Sequence, residues 1–311
     1  MTGLKLPKPL KGIITPMVTP LHDHDTLDVA GLEKLIEHIL DGGVHGVFIL
    51  GTTGESPSLS YNLRYELIER VCAQVNHRVP VLVGITDTSF VESINTAEKA
   101  AKCNADAVVL APPYYFASAQ PELLEYLSHL VKRLPLPMFL YNMPTHTKIM
   151  IEPATVVAAA EIPGIVGIKD SSSNLAYLSF VQHMLRNNPD FTLLVGPEEI
   201  TAHFVLMGGH GGVNGGSNMF PRLYVDLYNA AVEKNFDRVL FLQQKVMEVY
   251  KSFYTVGKYG SSLLKGIKCV LSLMGICDDF LSEPFHRFKQ EERNRIRENL
   301  KNIDLGIYQK F

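Results

Sequence analysis

The stretch GIVGIKDSSSN, residues 164–174, sets a lysine at the end of an apolar run, with an aspartate and three serines behind it. An ammonium group is costly to bury unless something pairs with it or the site uses it. Desolvation favours the neutral amine, and a neutral lysine amine adds to a ketone to form a Schiff base. Lys169 is therefore a candidate nucleophile. The plain alternative is a solvated loop lysine, but no spacer separates it from the apolar run. Two other stretches suit the same chemistry. YNMPTHT, residues 141–147, opens on Tyr141, whose phenol can pass a proton to and from a hydroxyl if it is more than core filling. GTTGES, residues 51–56, sets Thr52 and Thr53 between glycines. Its amides and hydroxyls either cap a turn or cradle a carboxylate. It lacks the GxxxxGKS or GxxxxGKT spacing of a phosphate loop. Together these residues describe a class I aldolase. The ketone condenses with Lys169, its carboxylate rests on Thr52 and Thr53, and Tyr141 handles the proton. The protonated imine is the electron sink, so neither metal nor cofactor is required.

Such groups must be carried to one place by regular elements. Short apolar runs recur at residues 12–18, 46–50, 79–84, 107–110, 138–141, 165–168, 192–195 and near 211–213. Segments with helical spacing lie between them. In GLEKLIEHILDGG the residues Leu32, Leu35, Ile36, Ile39 and Leu40 recur at three and four, and Gly42 and Gly43 stop the helix. Leu63, Leu67, Val71 and Val75 share a face of a second helix, and Pro121 stands at the first position of another. Apolar strands alternating with amphipathic helices make a parallel sheet covered by helices. Eight units over about 220 residues predict a closed (β/α)8 TIM barrel rather than a doubly wound sheet. A doubly wound sheet would carry a glycine-rich nucleotide turn after its first strand, where this chain has GIITPMVTPLHDHD. Residues 1–236 form the barrel on this reading. Residues 237–311 read as consecutive helices without strands, a C-terminal helical extension packed on the barrel and not an independent domain.

The 311 residues are 46% hydrophobic and 20% charged with a net charge of −3, which argues against nucleic acid or an anionic membrane as the main partner. No apolar run is long enough to span a bilayer. MTGLKLPKPLKG, at the start, holds no apolar stretch of signal-peptide length. The four cysteines are scattered, so a cytoplasmic protein with reduced thiols is expected. The eleven histidines form no zinc pattern. The glycine-rich GGHGGVNGGSN, residues 208–218, either permits close approach of chain and ligand or forms a phosphate site, for which no basic residue precedes Arg222.

In barrel enzymes the chemistry sits where the strands end. Those ends read GTTGES, APPYYF, YNMPTHT, GIKD, GPEE and GGVNGGSN. The motifs GTTGES, PPYY, YNMP and GIKD, in that order and spacing, resemble the dihydrodipicolinate synthase / N-acetylneuraminate lyase family from about residue 12 to beyond residue 218. The resemblance implies a pyruvate Schiff base on Lys169 and Tyr141 as the proton-transfer tyrosine. It implies Thr52 and Thr53 as the carboxylate pair, with Thr53 also in a hydroxyl relay. Tyr115 is implied to enter that relay from a neighbouring subunit, so that the active unit is at least a dimer and commonly a tetramer. Gly196 and Val213 are implied to line the ligand through their backbones.

Departures from the pattern bear on the substrate. The synthases carry an arginine that holds the carboxylate of the aldehyde, and His146 stands there instead. A mostly neutral imidazole does not replace a bidentate guanidinium. The lysine-inhibition pocket of bacterial synthases is poorly matched by Tyr61, Arg64 and Thr88, with only Glu92 in agreement. The expectation is a metal-independent lyase that releases or uses pyruvate, acting on a 2-keto-3-deoxy sugar acid or related 4-hydroxy-2-oxo acid. His146, Glu198, Asn214 and Ser217 would hydrogen-bond the hydroxylated tail. The alternatives are the synthase of lysine biosynthesis, N-acetylneuraminate lyase, a dehydratase working through the same imine, and a non-catalytic barrel that binds an oxo acid.

Overall fold

The structure, a computed structural model, describes residues 6–309. The first five residues of the stretch read above for a leader, and the last two of the C-terminal extension, lie outside that range. Eight strands form the barrel: β1 (Gly12–Pro16), β2 (Gly46–Ile49), β3 (Val81–Gly84), β4 (Ala107–Leu110), β5 (Met138–Asn142), β6 (Ile165–Asp170), β7 (Thr192–Val195) and β8 (Gly211–Gly212). Each pairs in parallel with its neighbours in sequence, and β8 returns to β1, so no edge is left open.

The strands are continuously apolar because both faces are covered. Ile14, Phe48, Leu82, Val109, Phe139 and Leu194 point inward and fill the barrel, with Leu10 beneath them. Alternate residues such as Ile13, Val47, Val83, Val108, Leu140 and Ile168 belong to the larger cluster shared with the helices. At β8 the backbones come so close that a Cβ on Gly211 would lie 1.9 Å from the Gly12 carbonyl oxygen.

The main helices that follow the strands are α1 (Val29–Asp41), α2 (Tyr61–Val75), α3 (Phe90–Lys102), α4 (Gln120–Val131), α5 (Pro153–Ala160), α6 (Leu175–Met184), α7 (Thr201–Leu206) and α8 (Pro221–Val232), with a single helical turn Pro144–Thr147 directly after β5. Their ends follow local rules. Asp28 caps α1 by accepting from Gly31 N at 2.8 Å, and Ser60 caps α2 by accepting from Leu63 N at 3.2 Å. Pro121 is the second residue of α4 rather than the first, since Gln120 opens the helix; either place suits a residue whose missing N–H has no partner in the first turn. Three helices follow: α9 (Phe236–Val249), running on into a π-helical turn Tyr250–Tyr254, then α10 (Ser262–Leu273) and α11 (Gln290–Asn302). Asn235 caps α9, so the boundary expected after residue 236 falls inside its first turn. Two strands also run further than the apolar pattern shows. β5 continues through Asn142 and β6 through Lys169 and Asp170, because these polar side chains lie at the barrel mouth and the ladder carries on beneath them. All four cysteines are free thiols. Among the described residues no helix is long and apolar enough to cross a membrane.

Candidate active site

The register of β5 on β6 aligns Tyr141 with Lys169 and Asn142 with Asp170. Neighbours in one row of a parallel sheet send their side chains to the same face. Lys169 is 7% exposed, and its Nζ lies 4.1 Å from the Tyr141 ring centre and 5.2 Å from that of Phe48. The two rings meet edge to face, 6.5 Å apart at 86°. The amine thus rests on aromatic faces. The Tyr141 hydroxyl lies 3.3 Å from Thr52 Oγ1. Burial pushes this phenol up, but the Lys169 charge and hydrogen bonds from Thr52 and Ser171 outweigh it and hold the phenol below its ordinary pKa. A buried phenol that gives up its proton more readily than usual is suited to proton transfer.

One row further out, Asn142 and Asp170 form a clasp. Asn142 Nδ2 donates to Asp170 Oδ1 at 2.7 Å, and its Oδ1 accepts from Ile151 N at 3.0 Å. Ser172 Oγ donates to Asp170 Oδ2 at 2.8 Å. Burial raises the Asp170 carboxyl, and the Asn142 and Ser172 bonds oppose that rise. Both residues are fully buried. Sequence reasoning passed over this clasp, although polar residues that continue an apolar strand without a break are a legible signal for it.

The 51–56 loop leaves β2 through Leu50 and ends at Glu55, both at φ 57, in the left-handed region uncommon for side-chain-bearing residues. Gly84 makes the first bend possible, because a Cβ there would lie 2.0 Å from the Leu50 carbonyl oxygen. Gly54 N donates to Gly51 O and Glu55 N to Thr52 O, both at 3.1 Å. Thr52 and Thr53 are half-buried on this turn. The relay hydroxyl expected at Thr53 is corrected here: the turn brings the Thr52 hydroxyl, and not that of Thr53, to Tyr141.

The other expected site residues divide. Gly196 N donates to Asp170 O at 2.7 Å, which sets its backbone beside the Lys169 strand end, and Val213 N donates to Val195 O at 2.8 Å, one strand further round the mouth. His146 stands exposed on the turn after β5, with Nδ1 3.0 Å from Thr145 Oγ1. Partial burial and the Lys148 ammonium keep its imidazole below the ordinary value, hence neutral near pH 7. Tyr115 is 77% exposed on the loop after β4 and does not complete the site of its own protomer. The hydroxyl grip expected from Glu198, Asn214 and Ser217 is not assembled. Glu198 accepts from Gly216 N at 2.7 Å, from Tyr254 at 2.9 Å and from the Tyr224 hydroxyl. Asn214 Nδ2 donates to Gly196 O and Thr201 Oγ1, and Ser217 Oγ to Asn214 O. These groups brace the loops after β7 and β8 from within. Tyr61 and Arg64, two of the residues that match the family's inhibition pocket poorly, both engage Asp87: Tyr61 donates to it at 2.9 Å and Arg64 pairs with the same carboxylate at 3.3 Å.

A parallel barrel that presents a lysine amine, a phenol and a threonine-lined turn at its mouth is the layout of a class I aldolase. The dihydrodipicolinate synthetase family matches residues 9–303, nearly the whole chain, and the chain belongs to that family. It is an enzyme of the family's pyruvate-dependent lyase class. Among solved structures, the dihydrodipicolinate synthase of Bacteroides thetaiotaomicron is 60% identical with a TM-score of 0.92, covering 94% of this chain and 99% of that one. YagE, a prophage protein of E. coli solved with pyruvate, is 27% identical with a TM-score of 0.89 over 95% of this chain and 99% of its own. The 4-hydroxy-tetrahydrodipicolinate synthase of Methanocaldococcus jannaschii is 30% identical over 298 residues, 96% of this chain and 99% of that protein.

Proposed function

We propose that this enzyme forms or breaks the bond between pyruvate and an aldehyde through an imine on Lys169, and that the aldehyde half carries no carboxylate where His146 stands. The substrate class is a 4-hydroxy-2-oxo acid, with the 2-keto-3-deoxy sugar acids the first candidates. The meeting of Lys169, Tyr141 and Thr52 at one strand end supports the reading. In cleavage the Lys169 amine adds to the C2 carbonyl, Tyr141 protonates the departing oxygen, and water leaves. Removal of the 4-hydroxyl proton then lets the C3–C4 bond break, its electron pair passing into the protonated imine, and the aldehyde departs. Protonation at C3 and addition of water free pyruvate and lysine. The substrate carboxylate lies against the amides and hydroxyls of Thr52 and Thr53. The neutral His146 supports an aldehyde held by hydrogen bonds rather than by a guanidinium clamp. The active unit is at least a dimer, a reading supported by the consecutive exposed aromatics Tyr114, Tyr115 and Phe116.

The 60% identity to a structure named as a dihydrodipicolinate synthase favours a second reading, with aspartate semialdehyde as the aldehyde. One experiment tests both. The protein is incubated with pyruvate and borohydride, its mass is taken and the modified residue is mapped. Pyruvate release is then followed on 2-keto-3-deoxy sugar acids and neuraminate, beside consumption of aspartate semialdehyde. A reduced adduct on Lys169 with turnover of a sugar acid is the expected result. Turnover of aspartate semialdehyde alone establishes the second reading, and loss of water without pyruvate release makes the enzyme a dehydratase. No adduct at all overturns the imine mechanism.

A further inference from the structure

The helices beyond the barrel reach the active site through a buried ion pair. Glu55, in the loop that carries Thr52 and Thr53, turns its carboxylate toward α10 and sets Oε1 2.5 Å from Lys268 Nζ. Its Oε2 accepts from both the backbone N–H and the hydroxyl of Ser282, each at 2.8 Å. Lys268 Nζ also donates to Phe280 O at 2.6 Å. Lys268 exposes none of its surface and Glu55 only 4%. Two charges so deep are costly to desolvate, and removing one leaves the other stranded, so the pair holds firmly what it joins. It joins α10 and the segment after it to a turn whose Glu55 N donates to Thr52 O and whose Glu55 backbone is left-handed. A backbone of that kind persists only where its surroundings over-determine it. The opposite side of the mouth repeats the device, since Glu198 accepts from Tyr254 of the π-helical turn.

We infer that Lys268 and Ser282 are positioning residues for oxo-acid binding: through Glu55 the C-terminal helices hold Thr52 and Thr53 where the substrate carboxylate is received. The inference rests on the proposed reading of that turn as the carboxylate cradle. Lys169 stands on β6 and Tyr141 on β5, tied to the turn only by the Thr52 hydroxyl at 3.3 Å from that of Tyr141, so loss of the ion pair acts first on binding and to a lesser degree on the rate of imine formation.

The test follows borohydride trapping of pyruvate against pyruvate concentration for three proteins, each also melted by circular dichroism. These are the wild type, Ser282→Ala, and the double variant Glu55→Gln/Lys268→Met, which leaves no buried charge unpaired. Half-saturating pyruvate rises about threefold in Ser282→Ala and about tenfold or more in the double variant, the scale expected when a contact group is displaced by a fraction of an ångström. The limiting trapping rate falls by a clearly smaller factor than half-saturation rises, because the Thr52 contact with Tyr141 is disturbed less than the carboxylate cradle, which separates lost ground-state binding from lost chemistry. A merely structural pair would lower the melting temperature and leave half-saturation of the folded protein unchanged, and that result overturns the inference. So does a loss confined to the limiting rate. If the double variant does not fold, Ser282→Ala decides alone. Wild type that forms no adduct refutes the imine reading itself, whereas wild type that labels normally beside equally saturable variants refutes only the role of Lys268 and Ser282.

Discussion

Lys169 and Tyr141 depend on each other. The ammonium keeps the buried phenol from rising out of the useful pKa range, and the phenol offers the amine a face and a proton partner in one group. Tyr141→Phe keeps the ring and removes only the hydroxyl, so kcat falls by about 10²- to 10⁴-fold, the usual contribution of a positioned acid–base group. Steady-state rates check this, and the pyruvate adduct still maps to Lys169. In the same assay Thr52→Val costs more than Thr53→Val, because only Thr52 reaches the phenol. At His146 the prediction concerns selectivity. His146→Arg supplies a guanidinium on the exposed turn after β5, and kcat/KM for aspartate semialdehyde relative to a sugar acid rises about tenfold, the worth of one charge-assisted hydrogen bond. An unchanged ratio in a competition assay means that the aldehyde does not pass this turn.

The elements that carry these residues are held by polar clasps just outside the apolar core. Asn142 and Asp170 tie β5 to β6 one row beyond the reacting pair. Asn142→Ala leaves the buried Asp170 carboxylate and Ile151 N short of partners, at a cost of roughly 2–4 kcal/mol. Urea unfolding measures this, and a change within about 0.5 kcal/mol, as for an ordinary surface substitution, would contradict the clasp. Between the loops after β7 and β8, Glu198 does similar work with a sign that pH reveals. Burial raises its carboxyl from 4.5 to about 7 against the bonds from Tyr224, Gly216 and Tyr254. The folded protein therefore holds a proton that the unfolded chain has lost between those values. The stability tied to that proton is full below about 4.5 and disappears as pH rises through about 7. Glu198→Gln cannot ionise, so its stability relative to wild type improves between about pH 5 and pH 8. Urea midpoints at the two values decide, and parallel profiles sink the idea.

At the scale of the whole molecule, the chain sets three exposed aromatics in a row, Tyr114, Tyr115 and Phe116. Tyr115 and Phe116 meet edge to face at 5.1 Å and are 77% and 81% exposed. A run of this kind is what the proposed interface with a second copy would cover. Sedimentation at micromolar concentration should give a dimer or larger assembly, and Tyr115→Ser/Phe116→Ser should shift it toward monomer with a fall in kcat. A monomeric wild type with full activity would show that each barrel works alone.

Much of this was legible before any coordinates. Alternating apolar runs and amphipathic helices determine a closed parallel barrel, because strands buried on both faces need helices on the outside and their own side chains within. Lys169, Tyr141 and the Thr52–Thr53 turn stand directly behind such runs, so strand order alone brings them to one end. Side-chain direction within a turn is another matter. Which threonine meets Tyr141 is set by the left-handed bends at Leu50 and Glu55, which depend on the space left by Gly84 and on the grip of Lys268. Glu198, Asn214 and Ser217 look like ligand groups in a list of polar residues near a barrel mouth. Only the fold shows that Gly216, Tyr224 and Tyr254 already engage Glu198, that Thr201 and Gly196 engage Asn214, and that Ser217 is held by Asn214 O and Thr15. Pattern along the chain sets what is buried, but a buried polar atom takes whichever partner the folded chain brings within about 3 Å, and those partners come from distant parts of the sequence.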